Sequence, residues 1–138
     1  MSPRSPQDEP ALLVLHDGGQ ERELPAFRYP IGAGVDVVGR DEKCAVQLVD
    51  PKVSRRHFDV RFELRAGGFV LRDLESVNGT FVDGAKVTEP VTLADGALIE
   101  LGHSQLLFTT QHFDNAAAAI SHFKRHGERY RGTMRLTE

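Results

Sequence analysis

The sequence predicts an all-β protein, a sandwich of mostly antiparallel strands followed by one short helix near the C-terminus. Three observations support this fold class. Short apolar runs recur from residue 11 to residue 110, turn dipeptides such as Asn78-Gly79 and Asp83-Gly84 separate them, and no helical periodicity interrupts them. Closely spaced short strands are typical of antiparallel sandwiches. A βαβ enzyme fold would instead need helices between its strands.

The predicted strands are the apolar runs between these turns. In chain order they are Ala11–His16, Val35–Val38, Val46–Leu48, His57–Arg65, Phe69–Leu74, Thr80–Val82, Val91–Leu93, Ala97–Leu101 and Gln105–Thr109. The clearest is the fourth, where Phe58, Val60, Phe62 and Leu64 alternate with charged residues. Because side chains alternate across a strand, this pattern predicts one face in the core and one in water.

One helix is predicted, over Asn115–His126, with Asp114 as its N-cap and Gly127 as its C-terminal stop. Its apolar face would consist of Phe113, Ala116, Ala117, Ile120 and Phe123. We expect this face to pack on the sandwich; docking to a partner protein is the alternative. The chain therefore divides into a disordered lead (1–10), one β domain (11–110), and a helix with a basic tail (111–138).

Composition excludes several classes of protein. The single cysteine, Cys44, rules out an intramolecular disulfide framework. No apolar run approaches the ~20 residues that a membrane-spanning helix needs, and residues 1–10 do not resemble a secretory signal. We therefore expect a cytoplasmic protein with no membrane contact. The excess of arginine over lysine favours a bacterial source.

The charge distribution limits where an anionic ligand could bind. The net charge is −3, and the body of the chain is acidic, which argues against nucleic-acid binding. A local basic cluster nevertheless lies between residues 40 and 56, comprising Arg40, Lys43, Lys52, Arg55 and Arg56. Any anionic ligand is expected to meet this cluster.

Three motifs lie in loops between predicted strands: Gly39-Arg40, Ser54-Arg55-Arg56-His57 and Ser76-Val77-Asn78-Gly79-Thr80. In this order they strongly resemble the forkhead-associated (FHA) domain, whose pattern is Gly-Arg, Ser-x-x-His and Asn-Gly-Thr. The resemblance continues to Gly102 and covers about residues 11–110. It implies a sandwich of about eleven strands whose loops at one end bind phosphothreonine peptides. It also implies an adaptor of Ser/Thr-kinase signalling, without catalytic activity or cofactor.

The resemblance assigns the phosphopeptide-binding roles to Arg40, Ser54, Arg55 and Asn78. A guanidinium such as that of Arg40 can meet two phosphate oxygens at once. The Ser54 hydroxyl would donate to the phosphate, Arg55 would add a second cation, and Asn78 would bind the peptide backbone. The residues expected to support the loops are Gly39, His57, Gly79 and Thr80.

One position departs from the family pattern. Many members carry Ser or Thr immediately before the asparagine, which adds a hydrogen bond to the phosphate, whereas this chain has Val77. The sequence therefore predicts a phosphate pocket with one donor fewer.

Other interpretations of the same residues stay open at this point. An FHA-like domain can bind partners independently of phosphate, and Asn78-Gly79 alone is a common turn pair. Ser54 with His57 suggests a hydrolase, although no Gly-x-Ser-x-Gly elbow is present. Cys44, His57 and His103 have no spacing typical of a metal site, so no metal is predicted.

Two further expectations concern the ligand. The preference for the third residue after the phosphothreonine should depend on neighbouring loops, around Asp83–Lys86 and Gly102–Gln105. The tail offers a second candidate ligand, since Thr133 follows Arg129 and Arg131 and precedes Leu136 by three residues. A phosphorylated Thr133 would be a tethered ligand for the same domain.

Overall fold

The computed structural model describes residues 10–18, 28–32, 34–113 and 116–126. These residues form eleven strands and one helix. The strands are β1 (Ala11–His16), β2 (Arg28–Pro30), β3 (Asp36–Gly39), β4 (Val46–Gln47), β5 (Phe58–Glu63), β6 (Gly68–Asp73), β7 (Phe81–Val82), β8 (Ala85–Lys86), β9 (Val91–Thr92), β10 (Leu98–Leu101) and β11 (Ser104–Thr109), and the helix is α1 (Ala116–His126).

The strands form two sheets. The first has the order β2-β1-β11-β10-β7-β8, and the second has the order β4-β3-β5-β6-β9. Every pair is antiparallel except β3 with β4, which is parallel. The predicted sandwich is thus confirmed, and all nine predicted strands are present with ends that differ by at most two residues. The short strands β2 and β8 were not predicted.

The main core lies between the two sheets. Leu12 and Ile99 from the first sheet pack with Phe58, Val60 and Leu71 from the second, and all five are fully buried. Burying a large apolar side chain contributes about 1.5–3 kcal/mol. This interior holds the strand ends in fixed positions, and the connecting loops with them.

The predicted alternation along β5 is wrong in its second half. Phe62 is 50% exposed and packs edge to face against Phe69, whereas Leu64 lies beyond the strand end and is 85% exposed. Asp59 was predicted on the wet face and is instead buried. An ion pair of 2.8 Å with Arg72, on the adjacent strand, compensates the Asp59 carboxylate for part of its lost hydration.

Helix α1 packs on the outer face of the first sheet. Of the two predicted roles for the helix, packing on the sandwich is therefore the one observed. Ala119 and Phe123 are buried in a second apolar cluster with Ala11, Leu13, Leu98 and Leu107. The predicted face is wrong at Ala117, which is exposed, because the helix turns Ala119 towards the sheet. The proposed caps Asp114 and Gly127 lie outside the described residues. No helix in the described ranges is long and apolar enough to span a membrane.

The loops that carry the three motifs emerge at one end of the sandwich. Strands β3 and β4 end there, β5 begins there after the β4–β5 loop, and β6 ends there before the β6–β7 loop. The β10–β11 turn lies at the same end, since β10 pairs antiparallel with both β7 and β11. One surface therefore collects the candidate residues from four connections.

Candidate functional site

Gly39 allows two loops to touch through their backbones. A Cβ atom at this position would lie 2.2 Å from the carbonyl oxygen of Arg55, a distance that real Cβ contacts do not show. On either side, the Arg40 amide donates to the Ser54 carbonyl at 3.0 Å, and the Asp41 amide donates to the Arg55 carbonyl at 3.1 Å. The glycine thus allows the end of β3 to lie against the β4–β5 loop.

Arg40 is exposed, but its stem is held in place. Its Nε donates to the carbonyl oxygen of Val53 at 3.0 Å, and its own carbonyl accepts from Nε2 of Gln47 at 3.1 Å. Among the hydrogen bonds of the described residues, Arg40 uses only this one side-chain nitrogen. Both Nη groups therefore remain to meet an anion in the forked geometry that suits a phosphate.

Ser54 connects the β4–β5 loop to the β6–β7 loop. Its Oγ accepts a hydrogen bond of 3.0 Å from the backbone amide of Val77. Because the hydroxyl oxygen is the acceptor in this bond, the hydroxyl proton stays available for a ligand oxygen.

Asn78 spans the same two loops from the other side. Its Nδ2 donates to the carbonyl oxygen of Lys52 at 2.8 Å, which leaves the amide oxygen and a second N–H unused by this bond. The side chain is exposed, so these groups can reach the backbone of an extended peptide. Arg55 and Arg56 are also exposed, next to Ser54 in the chain.

His57 is buried beneath these loops and joins them through both ring nitrogens. The Ser54 amide donates to Nδ1 at 3.0 Å, so Nδ1 is unprotonated, and Nε2 donates to the carbonyl of Gly79 at 2.8 Å. Burial lowers the pKa of the His57 imidazole below its ordinary value and outweighs the opposing effect of the Gly79 carbonyl. The neutral ring therefore joins the two loops through its hydrogen bonds to Ser54 and Gly79.

We expect acidification to destabilise the protein through His57. Because its pKa is lower in the folded state, the unfolded state binds more protons once the pH falls below the ordinary value, near 6.5. The contribution of His57 to the free energy of unfolding should therefore be fully present above that pH. At lower pH the free energy of unfolding should decrease, by up to ~1.4 kcal/mol per pH unit. Urea unfolding between about pH 5 and pH 7.5 measures this slope.

The matched variant for this measurement is His57→Gln, whose amide keeps a donor but does not titrate. Its unfolding free energy should be lower at neutral pH and should depend less on pH over the same interval. An equal slope in both proteins would show that another group causes the acid sensitivity.

Asp73 at the end of β6 organises the β6–β7 loop. Its Oδ1 accepts from the hydroxyls of Ser76 at 2.6 Å and Thr80 at 2.7 Å, and the Ser76 Oγ in turn accepts from the Gly79 amide at 3.0 Å. Burial alone would raise the pKa of the Asp73 carboxyl, but these hydrogen bonds outweigh it and the pKa lies below its ordinary value. Thr80 is buried, and Gly79 has a φ of +85°, a backbone conformation that favours glycine.

Val77 lies in the β6–β7 loop, next to Asn78 in the chain, and is 87% exposed. Only its backbone amide takes part in the loop network, through Ser54. The side chain therefore presents two methyl groups where the family pattern often has a hydroxyl.

Substitution of Val77 by threonine is expected to strengthen phosphopeptide binding. The two side chains are similar in size, and a new hydroxyl that reaches a charged phosphate oxygen would contribute about 1 kcal/mol or more. Calorimetry with one phosphopeptide on wild type and Val77→Thr measures the change, with Val77→Ala as the control for lost apolar contact. Unchanged or weaker binding by the threonine variant would mean that another group already serves that phosphate oxygen.

The geometry does not support the hydrolase interpretation. His57 contacts the backbone amide of Ser54, whereas the Ser54 hydroxyl is bonded to the next loop. A nucleophile and its base need a direct hydrogen bond between the reacting side chains. Across the part of the chain that the structure describes, no group of three His, Cys, Asp or Glu side chains is arranged to hold a metal ion.

A pocket of about 520 Å³ opens beside Asn78. Its walls come from the β4–β5, β6–β7 and β10–β11 loops and from the turn before β8, with the lining residues Lys52, Asn78, Phe81, Gly84, Glu100, Leu101, Gly102 and His103. Both loops that the sequence predicted to influence selectivity contribute to it, through Gly84 and through Gly102 with His103. Thr133 lies outside the described residues.

Sequence reasoning assigned no role to Asp50, although it is buried and hydrogen-bonded to two of these loops. One local signal was present: an aspartate two residues before an amide often accepts its hydrogen bond, here from Lys52. The longer-range partners, His103 and Ser104, have no signal in the sequence.

The fold and the site together define a β-sandwich recognition module, with polar groups from several loops gathered at one end. The FHA domain model matches residues 37–102. A solved structure from a study of phosphothreonine-dependent FHA domain interactions is 30% identical, with a TM-score of 0.62, over 76% of this chain and 99% of the other. The chain belongs to the FHA domain family.

Several mycobacterial proteins are similar in sequence. FhaA of Mycobacterium tuberculosis is 40% identical over 79 residues, which cover 57% of this chain and 14% of FhaA. The glycogen accumulation regulator GarA of Mycolicibacterium smegmatis is 39% identical over 100 residues, which cover 72% of this chain and 59% of GarA. The FhaA FHA domain complexed with the intracellular domain of Rv3910 is 33% identical, with a TM-score of 0.55, over 72% of this chain and 98% of that one.

Proposed function

We propose that this protein is a phosphothreonine-binding adaptor in Ser/Thr-kinase signalling and that it performs no catalytic step. One observation carries the proposal: the three motif loops are hydrogen-bonded to each other at one end of the sandwich, with Arg40 and Asn78 exposed on them. Each of these side chains is fixed by one hydrogen bond and keeps further donors for a ligand.

The proposed contacts follow from the charge and shape of a phosphothreonine. The phosphate carries about −1.5 to −2 charges and three acceptor oxygens. The two Nη groups of Arg40 would bind two of these oxygens, the Ser54 hydroxyl would donate to the phosphate, and Arg55 would add a second positive charge. Asn78 would hydrogen-bond the backbone beside the phosphothreonine and so hold the peptide in an extended form.

The similar FHA structures support a protein as the partner and phosphothreonine as the group recognised. The FhaA FHA domain is solved in complex with an intracellular protein domain, and a related structure comes from work on phosphothreonine-dependent interactions. A phosphothreonine-containing protein is therefore the partner proposed here, with the chain's own phosphorylated Thr133 as a second candidate. We place the protein in the cytoplasm, where such kinases act.

An oriented peptide library with a fixed phosphothreonine tests the function. The purified protein should capture phosphorylated peptides, and treatment of the library with a phosphatase should remove the capture. Binding should weaken as salt increases, because the contact is between charged groups near the surface.

A phosphate-independent interaction domain is the second candidate, and the exposed apolar side chain of Val77 beside Asn78 favours it. Equal capture of phosphorylated and unphosphorylated peptides in the same experiment would support this candidate and contradict the first.

A further inference from the structure

We propose that Asp50 is a positioning residue that joins the phosphate-binding loop to the pocket beside Asn78 and thereby sets which residues are accepted next to the phosphothreonine. The inference rests on the proposed function and goes beyond it, because Asp50 is not among the residues expected to bind the phosphopeptide. Its side chain is instead directed to two loops at once.

The Asp50 carboxylate is fully buried and divides its two oxygens between these loops. Oδ1 accepts from the backbone amide of Lys52 at 2.8 Å, within the β4–β5 loop. Oδ2 accepts from the His103 amide at 2.7 Å and from the Ser104 hydroxyl at 2.7 Å, both in the β10–β11 turn. One side chain thus fixes the distance between a loop that contains Ser54 and a turn that lines the pocket.

Two glycines make room for this carboxylate. A Cβ atom on Gly18 would lie 2.7 Å from Oδ2 of Asp50, and one on Gly102 would lie 2.9 Å from the same oxygen. The Gly18 amide also donates to the Ser104 Oγ at 3.0 Å, which attaches the segment after β1 to the same group. Three parts of the chain therefore meet at Asp50 with no space left between them.

The width of the pocket depends on the separation that Asp50 fixes between the β4–β5 loop and the β10–β11 turn. Lys52 and His103 are both lining residues, and each is held by a different oxygen of Asp50. The Lys52 carbonyl also accepts from Asn78, the residue proposed to hold the peptide backbone. A shift of the β10–β11 turn relative to Lys52 would therefore change the pocket while Arg40 and Ser54 keep their own supports.

Asparagine is the informative substitution at this position. Asp50→Asn preserves shape and size, but an amide has only one acceptor oxygen, so its NH₂ group must face either the Lys52 amide or the His103 amide. One of the two connections is lost in either orientation. The chain offers a matched control in Asp95, whose carboxylate accepts from Thr109, Thr110 and Gln111 near the end of β11, at the opposite end of the sandwich.

The test compares wild type, Asp50→Asn and Asp95→Asn with one oriented phosphothreonine library. Asp50→Asn should still prefer phosphorylated to unphosphorylated peptides, but its selectivity for residues beside the phosphothreonine should fall about tenfold, the effect of losing one hydrogen bond to a charged group. Asp95→Asn should keep the wild-type selectivity. The inference is overturned if Asp50→Asn keeps that selectivity, or if it loses phosphate dependence and selectivity together, as a purely structural residue would.

Amide hydrogen exchange gives a second readout that needs no ligand. Asp50→Asn should accelerate exchange at Lys52 or His103 by about tenfold relative to Asp95→Asn, since one of these amides loses its acceptor. If the wild type captures no phosphopeptide, the proposed function fails, and accelerated exchange would still support the connection between the loops. Unchanged exchange at both amides would contradict the inference that Asp50 connects the β4–β5 loop to the β10–β11 turn.

Discussion

Replacement of Arg40 by alanine is expected to abolish phosphopeptide binding while the protein stays folded. The guanidinium is the group proposed to bind the phosphate. Its Nε is bonded to Val53, and its Nη groups have no partner among the hydrogen bonds of the described residues. Truncating one member of a hydrogen-bonded charge pair costs about 2–5 kcal/mol. That range corresponds to a loss of roughly 30-fold to several thousand-fold in affinity.

The measurement is calorimetric titration with a phosphopeptide selected by the wild type. Arg65→Ala serves as the control, because Arg65 is exposed in the β5–β6 hairpin at the other end of the sandwich. Its variant should bind like the wild type, and all three proteins should unfold at similar temperatures. An Arg40→Ala variant that binds within about twofold of the wild type, well under 1 kcal/mol, would contradict the proposed phosphate site.

The substitution Gly39→Ala, which adds a single methyl group, is expected to lower both the free energy of unfolding and the affinity for phosphopeptide. The new Cβ would collide with the Arg55 carbonyl oxygen at 2.2 Å, and the obstacle is backbone, which cannot rotate away. The β3–β4 and β4–β5 loops must then separate, with loss of the hydrogen bond between Arg40 and Ser54. Overpacking of this kind costs typically about 1–3 kcal/mol, and the lost hydrogen bond adds to that figure.

Gly68→Ala is the matched control for Gly39→Ala. Gly68 is the first residue of β6, and an added Cβ there would meet only the Thr92 methyl group at 3.7 Å, an ordinary contact. Urea unfolding should show a clear loss of stability for Gly39→Ala and little change for Gly68→Ala, and only the former should lose affinity for phosphopeptide. Equal unfolding midpoints would show that the two loops can separate at no cost.

The sequence predicted most of the fold because its strands are apolar and its turns are marked by glycine. Strands β2 and β8 were missed because Arg28–Pro30 and Ala85–Lys86 are not apolar runs, which were the signal that predicted the other short strands. Asp59 and Phe62 broke the predicted alternation because their partners Arg72 and Phe69 lie on the neighbouring strand. Such pairing is set by register, which local sequence does not reveal.

The resemblance predicted which side chains of the site matter but not what holds them. The supports of Arg40 and Asn78 are the carbonyl oxygens of Val53 and Lys52, and every residue has such an oxygen whatever its type. The roles proposed for the phosphopeptide-binding residues stay predictions until the variants are measured. Asp50 was missed for a related reason, because its partner Ser104 is 54 positions away in the chain.

The hydrogen bonds that join the three loops have a consequence for the kinetics of recognition. Ser54, His57 and Asn78 already connect these loops without a ligand, so a peptide finds its contacts in place and little chain entropy is lost when it binds. A surface that need not rearrange can associate rapidly and release its ligand as soon as the few contacts to phosphate and backbone break. Rapid association of this kind would let occupancy of the site follow a rise in kinase activity closely in time.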